Sequence, residues 1–391
     1  MNKRLLIPML MCLAGMGMAP SAMALEDIQF SGYFTMKATY GDVEVRDSSG
    51  NPTGSKAEYN HIYSDKLDFD THGNHAGLKA DASVADNLDV SLVFQAHGGP
   101  NHKYSVGVEW VYATYAMTDT FDLKVGKFKG PFFMVSEYLE VAYAYPWVTP
   151  PQEVYSTNPM SAVNGLDLLY NGNLGSLDFL FEVYGGSGNH DSFVMPNFVD
   201  DDPGGQATAA GLSKGKMVDF STNNMIGFNT VIGKGGVSFR AGYFTTKVDV
   251  ASFGISQATG TFGGVGLIVD WRNLLVYSEY IVRDTSNDLA AAFPDQKAWY
   301  LTLGYRFGNT LPYVTYGGMD KGADDSRYAL KQTSATLGLR QEVSDTAAVK
   351  FEIHHAMPDA DSTDVGKYGL FDSPVVNDKG TLFSASFDLI F

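Results

Sequence analysis

Cysteine is all but missing: Cys12 is the single one in 391 residues, so a disulfide framework and thiolate metal sites are excluded. Cys12 also lies well before the expected start of the exported chain, which removes the residue a lipid anchor would need. Beyond the first two dozen residues, no stretch holds the roughly 18 consecutive apolar residues of a transmembrane helix. Basic residues are scarce, 27 against 44 acidic ones for a net charge of −17, and a chain this acidic is a poor nucleic-acid binder. Internal repeats and low-complexity tracts are absent as well, so nothing divides the chain after its leader.

What is abundant is glycine (42), phenylalanine (25) and tyrosine (22). Met1 to Ala24 has a short basic start (Lys3, Arg4), an apolar stretch from Leu5 to about Met18, and Ala22-Met23-Ala24 as a small-x-small cleavage site. This pattern predicts a secretory signal peptide over 1–24 and a single domain over 25–391. Amino-terminal sequencing that finds Leu25 first checks it.

The exported part alternates. From Ile28 to Tyr40, Phe30, Phe34, Met36 and Ala38 interleave with Gln29, Ser31, Thr35, Lys37 and Thr39, the period of two of a strand with one apolar face. Leu88 to His97 and Thr381 to Phe391 repeat the pattern, the latter with Phe383, Phe387 and Leu389 against Ser384, Ser386 and Asp388. Paired strands meet at short turns such as Ala85-Asp86-Asn87, Asn171-Gly172-Asn173, Gly233 to Gly236 and Arg272-Asn273. A pair is read over Val163 to Tyr170 and Leu177 to Tyr184, and another over Met225 to Ile232 and Val237 to Thr245. Long polar loops such as Gly41 to Gly73 separate the pairs. About sixteen strands result, with short turns on one rim and long loops on the other. An exported chain without an apolar helix can cross a membrane when its strands close, because closure satisfies every backbone group. The predicted fold is an all-β transmembrane antiparallel barrel; the competing soluble β-sandwich need not sort its loops this way.

One loop stands out. Gly130 to Ala162, after the fifth strand, carries Phe132, Phe133, Met134, Tyr138, Leu139, Tyr143, Tyr145 and Trp147, and so aromatic a loop needs a surface to pack on. A helical turn or two is expected near Met134 to Glu140, then an extended return forced by Pro146, Pro150 and Pro151. The polar lumen is the enclosed place one loop can reach, so this loop is expected to fold inward.

The signal peptide, the Val125-Gly126-Lys127-Phe128-Lys129 run with Gly130-Pro131 ending the fifth strand, the long loop after it and the terminal strand closing on Phe391 together resemble the Gram-negative general and phosphate-selective porins. The resemblance implies a homotrimer of sixteen-stranded barrels in the outer membrane, with an inward third external loop. It also implies that Phe391 is an assembly signal read by the barrel-assembly machinery. The implied function is a water-filled channel for ions and small hydrophilic solutes, without cofactor. An outer-membrane barrel enzyme of protease or lipase type, usually a smaller barrel, is the rival, with a solute-specific channel such as a phosphate-type porin beside it. A plugged transporter has no room before the first strand.

With apolar positions facing lipid, the opposite parity puts Lys37, Lys79, Asp81, Glu109, Lys124, Glu182, Arg240, Glu279, Arg283, Arg306, Arg340, Lys350 and Glu352 on the lumen wall. Facing Phe132, Glu137, Tyr138, Glu140, Tyr145, Trp147 and Glu153 of the loop, they are expected to set a transverse field across the channel, unless they pair with one another to fill the barrel. Lys127 and Lys129 fall on the lipid parity, so a bulge or the membrane edge must intervene. His72 with His75, His97 with His102, and His354-His355 lie near loop ends, but strand neighbours point oppositely and no metal site is expected. Asp359, Asp361 and Asp364 lack the glycine and closing glutamate of a calcium loop.

Overall fold

The computed structural model describes residues 28–67, 69, 73–98, 105–194, 209, 211, 216–322, 327–359 and 365–391. The expected signal peptide lies outside these residues, as do His72, His102, Asp361 and Asp364.

Alternation becomes strand throughout. In chain order the strands are β1 (Ile28–Tyr40), β2 (Glu44–Arg46), β3 (Pro52–Lys56), β4 (His75–Ala85), β5 (Leu88–His97), β6 (Ser105–Ala116), β7 (Phe121–Lys129), β8 (Ala162–Leu174) and β9 (Leu177–Val194). They continue as β10 (Met217–Lys234), β11 (Val237–Val250), β12 (Ile255–Trp271), β13 (Leu274–Thr285), β14 (Gln296–Tyr305), β15 (Thr310–Lys321), β16 (Gln332–Ser344), β17 (Ala347–Pro358) and β18 (Gly380–Ile390). All but β2 and β3 pair with their neighbours, antiparallel, into one closed barrel of sixteen strands. β1 meets β18 in the register Met36 to Phe387, and Gly32 and Phe391 exchange both backbone hydrogen bonds at 2.8 and 3.0 Å. Closure leaves the barrel itself no open strand edge.

Polarity is turned inside out. On β1, Thr35, Lys37 and Thr39 are buried while Phe34 and Met36 are exposed; on β18, Ser384, Ser386 and Asp388 are buried while Phe383 and Phe387 are exposed. Tyr243, Trp271, Tyr280, Trp299, Tyr305 and Tyr316 join the outer surface. In water each large side chain left uncovered would forgo about 1.5–3 kcal/mol of burial, an untenable sum for a soluble chain. With hydrocarbon as solvent the same belt is satisfied.

The strands differ from expectation in a few places. β8 runs on through Asn171-Gly172-Asn173 to Leu174, and the turn falls at Gly175, at φ 64°; polar turn formers are tolerated in a strand once both neighbours are hydrogen-bonded. β9 and β10 have 18 residues each, far more than the roughly ten a tilted membrane strand needs, so this hairpin projects beyond the bilayer. A register shift between Asn223 and Ile226, with Asn224 at φ 51°, resets its parity. The Gly41 to Gly73 loop holds a small hairpin of β2 and β3. The Gly235-Gly236 turn takes φ 58° and 88°, the left-handed pair that suits a two-residue hairpin.

Candidate functional site: the folded loop and the wall beneath it

Between β7 and β8 the chain makes two short 3₁₀ turns, Ser136–Tyr138 and Ala142–Ala144, then a one-turn helix α1 (Gln152–Tyr155). The return is therefore not extended throughout. Pro151, with ψ 110°, stands as the residue before α1, a place where a missing N–H costs nothing.

The aromatic residues of this segment pack on inward-facing rings of the wall. Phe132 lies 4.9 Å from Phe244, and Phe133 lies 5.3 Å from Phe262. Trp147, 1% exposed, meets Tyr277 at 5.0 Å and Tyr300 at 5.5 Å edge-on. Its indole N–H donates to the Thr302 hydroxyl at 3.0 Å. The Tyr145 hydroxyl turns back to the carbonyl of Leu139 at 2.9 Å.

A loop shielded from bulk water leaves backbone groups that need partners, and the wall charges supply them. Arg240 donates to the Pro131 carbonyl. Arg340 donates to the carbonyls of Tyr143 (2.5 Å) and Tyr145 (3.0 Å), and Lys350 to those of Ala142 (2.6 Å) and Trp147 (2.8 Å). Lys37 reaches the Thr149 hydroxyl at 2.8 Å, and Arg283 the Thr157 carbonyl at 2.5 Å. Glu279 accepts from the Met134 N–H and the Tyr155 hydroxyl, each at 2.6 Å, and Glu352 from the Thr149 N–H at 3.4 Å and the Tyr313 hydroxyl at 2.7 Å. The anchors stand on β1, β11, β13, β16 and β17, so the segment is tied to widely separated parts of the wall.

Lys37, Arg240, Glu279, Arg340, Lys350 and Glu352 have the expected parity and are buried, taken up by the loop and, for Lys350, by Asp388 at 3.0 Å. Arg306 pairs with Asp270 at 2.6 Å beside the turn between β14 and β15. Lys79 pairs with Asp81 at 2.8 Å, and Lys124 with Asp167 at 3.1 Å and Glu182 at 4.0 Å.

The loop carboxylates divide three ways. Glu137 is exposed. Glu140 meets Lys129 at 2.6 Å, and Lys129 meets Glu109 at the same distance. Glu153, 1% exposed, accepts from the Gln332 amide at 2.6 Å. Strict alternation would put Lys129 on the lipid side, and a bulge or the membrane edge was expected to intervene; its side chain is inside, 5.5 Å over the Trp110 ring. Gly126, at φ 135°, breaks the alternation three residues earlier, and Phe128 and Lys129 then border one space. That space is a cavity of about 450 Å³ between the loop and the β1, β4, β6, β7 side of the wall, bordered by Glu137 and Tyr138 of the loop and by Ile390 and Phe391 at the end of the chain.

The histidines are engaged separately. His75 bonds the carbonyls of Gly73 (3.0 Å) and Glu140 (2.5 Å), His354 the hydroxyls of Thr336 and Tyr59, and His355 that of Thr381 on the outer face. No cluster of three metal-ligating side chains occurs among the described residues. Gly211-Leu212-Ser213-Lys214-Gly215 has the Gly-x-Ser-x-Gly spacing; residues 212–215 lie outside the described set. β10 begins at Met217, which leaves no length for the helix that must follow a nucleophile elbow.

No family model and no curated protein sequence matches the chain. Solved structures do match its shape. An anion-selective porin from Comamonas acidovorans is 11% identical with a TM-score of 0.58 over 93% of this chain and 99% of that one. The outer membrane channel DcaP of Acinetobacter baumannii is 14% identical with a TM-score of 0.53 over 93% and 97%. OmpT, an outer membrane protein of Vibrio cholerae in its trimer form, is 13% identical with a TM-score of 0.52 over 93% and 99%. At such identities the likeness establishes the fold, a sixteen-strand barrel of the Gram-negative outer-membrane porin type.

Proposed function

We propose, from a fold shared with Gram-negative outer-membrane porins, that this chain is a diffusion channel of the outer membrane, passing ions and small hydrophilic solutes through a lumen narrowed by the 130–162 loop. The observation that carries this reading is the anchoring of that loop by inward-facing side chains of five strands, with a cavity of about 450 Å³ left on one side. A barrel of sixteen strands encloses more space than its own side chains fill, and a loop tied across it sets the width of what remains. No turnover is needed for such a role. Planar-bilayer recording tests it: discrete conductance steps are expected from the purified protein, and a protein that inserts without conducting would sink the reading.

The charge of the passage is set in this reading by Glu137 and Glu140. Glu137→Gln with Glu140→Gln is expected to move the reversal potential in a salt gradient towards anion preference. A unit charge about 4 Å from a passing ion is worth about 1 kcal/mol in water, about fivefold for one ion, so with two charges removed the cation-to-anion permeability ratio should fall by at least about fivefold. An unmoved reversal potential would remove these carboxylates from the conduction path.

Biogenesis follows the same reading, with Phe391 recognised by the barrel-assembly machinery before insertion into outer-membrane lipid. Its backbone closes the β1–β18 seam on Gly32, and its ring, 66% exposed, lies over Gly32. Deleting Phe391 should lower the amount of folded protein in the outer membrane; parent-like levels on a heat-modifiability gel would reject this. We assign the working form as a homotrimer, with part of the outer aromatic surface packed between barrels, and a strictly monomeric native mass in mild detergent would refute it.

A further inference from the structure

The cavity beside the loop has a chemistry of its own, and we infer that it is a recognition site for organic cations carrying an aromatic ring. The inference rests on the diffusion-channel reading and names the solute class that reading leaves open.

Aromatic side chains dominate its border: Tyr33, Trp110, Tyr112, Phe128 and Tyr138 surround it. Rings in such number are ill suited to speeding hydrated inorganic ions, which gain little from an apolar wall, but they suit a flat ring that can stack or pack edge-on. Two of them already carry a cation: the Lys129 ammonium stands 5.5 Å over Trp110 and that of Lys124 5.9 Å over Phe128. The faces of Tyr33, Tyr112 and Tyr138 carry no such contact among the described residues.

Charge then decides the sign of the ligand. The lysines that border the cavity are all matched: Lys79 by Asp81, Lys124 by Asp167 and Glu182, Lys129 by Glu109 and Glu140. With those lysines neutralised by carboxylates set behind the border, the charge left on the border is that of Glu137, which is exposed and makes no ion pair among the described residues. An ammonium at Glu137 with its ring among the tyrosines satisfies both features, while an aromatic carboxylate would meet uncompensated negative charge. Tyr33 is 5% exposed and borders the cavity with its ring, its hydroxyl turned onto Gly77 of the wall.

The test is single-channel recording in potassium chloride with phenethylammonium, butylammonium or phenylacetate added in turn. Phenethylammonium is expected to interrupt the current with about fivefold longer residence than butylammonium, and phenylacetate to have little effect. Tyr112→Leu should abolish the advantage of the ring, and Glu137→Gln, at an exposed position with no fold-supporting contact, should abolish that of the ammonium. Equal block by phenethylammonium and butylammonium, stronger block by phenylacetate, or an advantage that survives both substitutions would overturn the inference while leaving a conducting channel in place. Absence of any conductance would overturn the diffusion-channel reading and this inference together.

Discussion

Replacing Lys350 by methionine is expected to lower the stability of the folded barrel by about 3–5 kcal/mol and to loosen the loop. The Lys350 side chain is fully buried. Its ammonium lies 3.0 Å from Asp388, donates to the carbonyls of Ala142 and Trp147 and sits 4.8 Å from the Tyr145 ring. Methionine keeps the length of the stem and removes the charge, so the loss is electrostatic rather than a cavity. Asp388 would then be a buried, unpaired carboxylate, and two carbonyls would lose their donor, each worth about 1–3 kcal/mol when left bare. Lys350→Met with Asp388→Leu should recover a large part of the loss, because the stranded charge is gone. The urea midpoint of the heat-modifiable form measures both variants. A parent-like midpoint for Lys350→Met alone would mean that this lysine does not hold the loop.

Removing residues 133–157 is expected to raise single-channel conductance severalfold. The ends of the deleted piece already lie together: the Gly130 N–H donates to the Ser161 carbonyl at 3.2 Å, and the rings of Phe133 and Tyr155 are 4.7 Å apart. A short turn can therefore rejoin β7 and β8 at small entropic cost. Arg283, Arg340 and Lys350 would lose their carbonyl partners in the deleted piece but would gain water in a widened lumen, where a cationic wall is tolerated. The variant should also show more anion permeation than the parent, since those freed groups are cations. If it inserts at the parent's level and conducts no more, the loop is an outer lid and the channel lies elsewhere.

The strand pattern was legible because parity is a local property. Each residue needs its immediate neighbours alone to be assigned a face, so Thr35, Lys37 and Thr39 on β1, or Ser384, Ser386 and Asp388 on β18, could be turned inward from the sequence. Lys37, Arg240, Glu279, Arg340, Lys350 and Glu352 have the inward parity read in the same way. Arg272-Asn273 turned where expected, and the turn read over Gly233 to Gly236 narrowed to Gly235-Gly236, with Gly233 and Lys234 still paired in the strand. Weak signals failed: Asn171-Gly172-Asn173 has turn composition, yet β9 lends it a hydrogen-bonded neighbour and it remains strand.

What parity could not tell is what each inward side chain meets once the barrel has closed. The loop groups that capture Lys350, Arg340, Arg240 and Lys37 lie 109 to 208 residues away in the chain. No sequence spacing distinguishes a lysine facing water from one facing a loop carbonyl. The same holds for Lys129, whose side is decided by the positive φ of Gly126 and by two carboxylates on separate segments. The sequence by itself determined an exported, all-β, lipid-facing chain with an aromatic loop after its fifth barrel strand. Closure decided which charges brace that loop and which border the remaining cavity, because desolvation and pairing depend on distances through space that the order of residues does not contain.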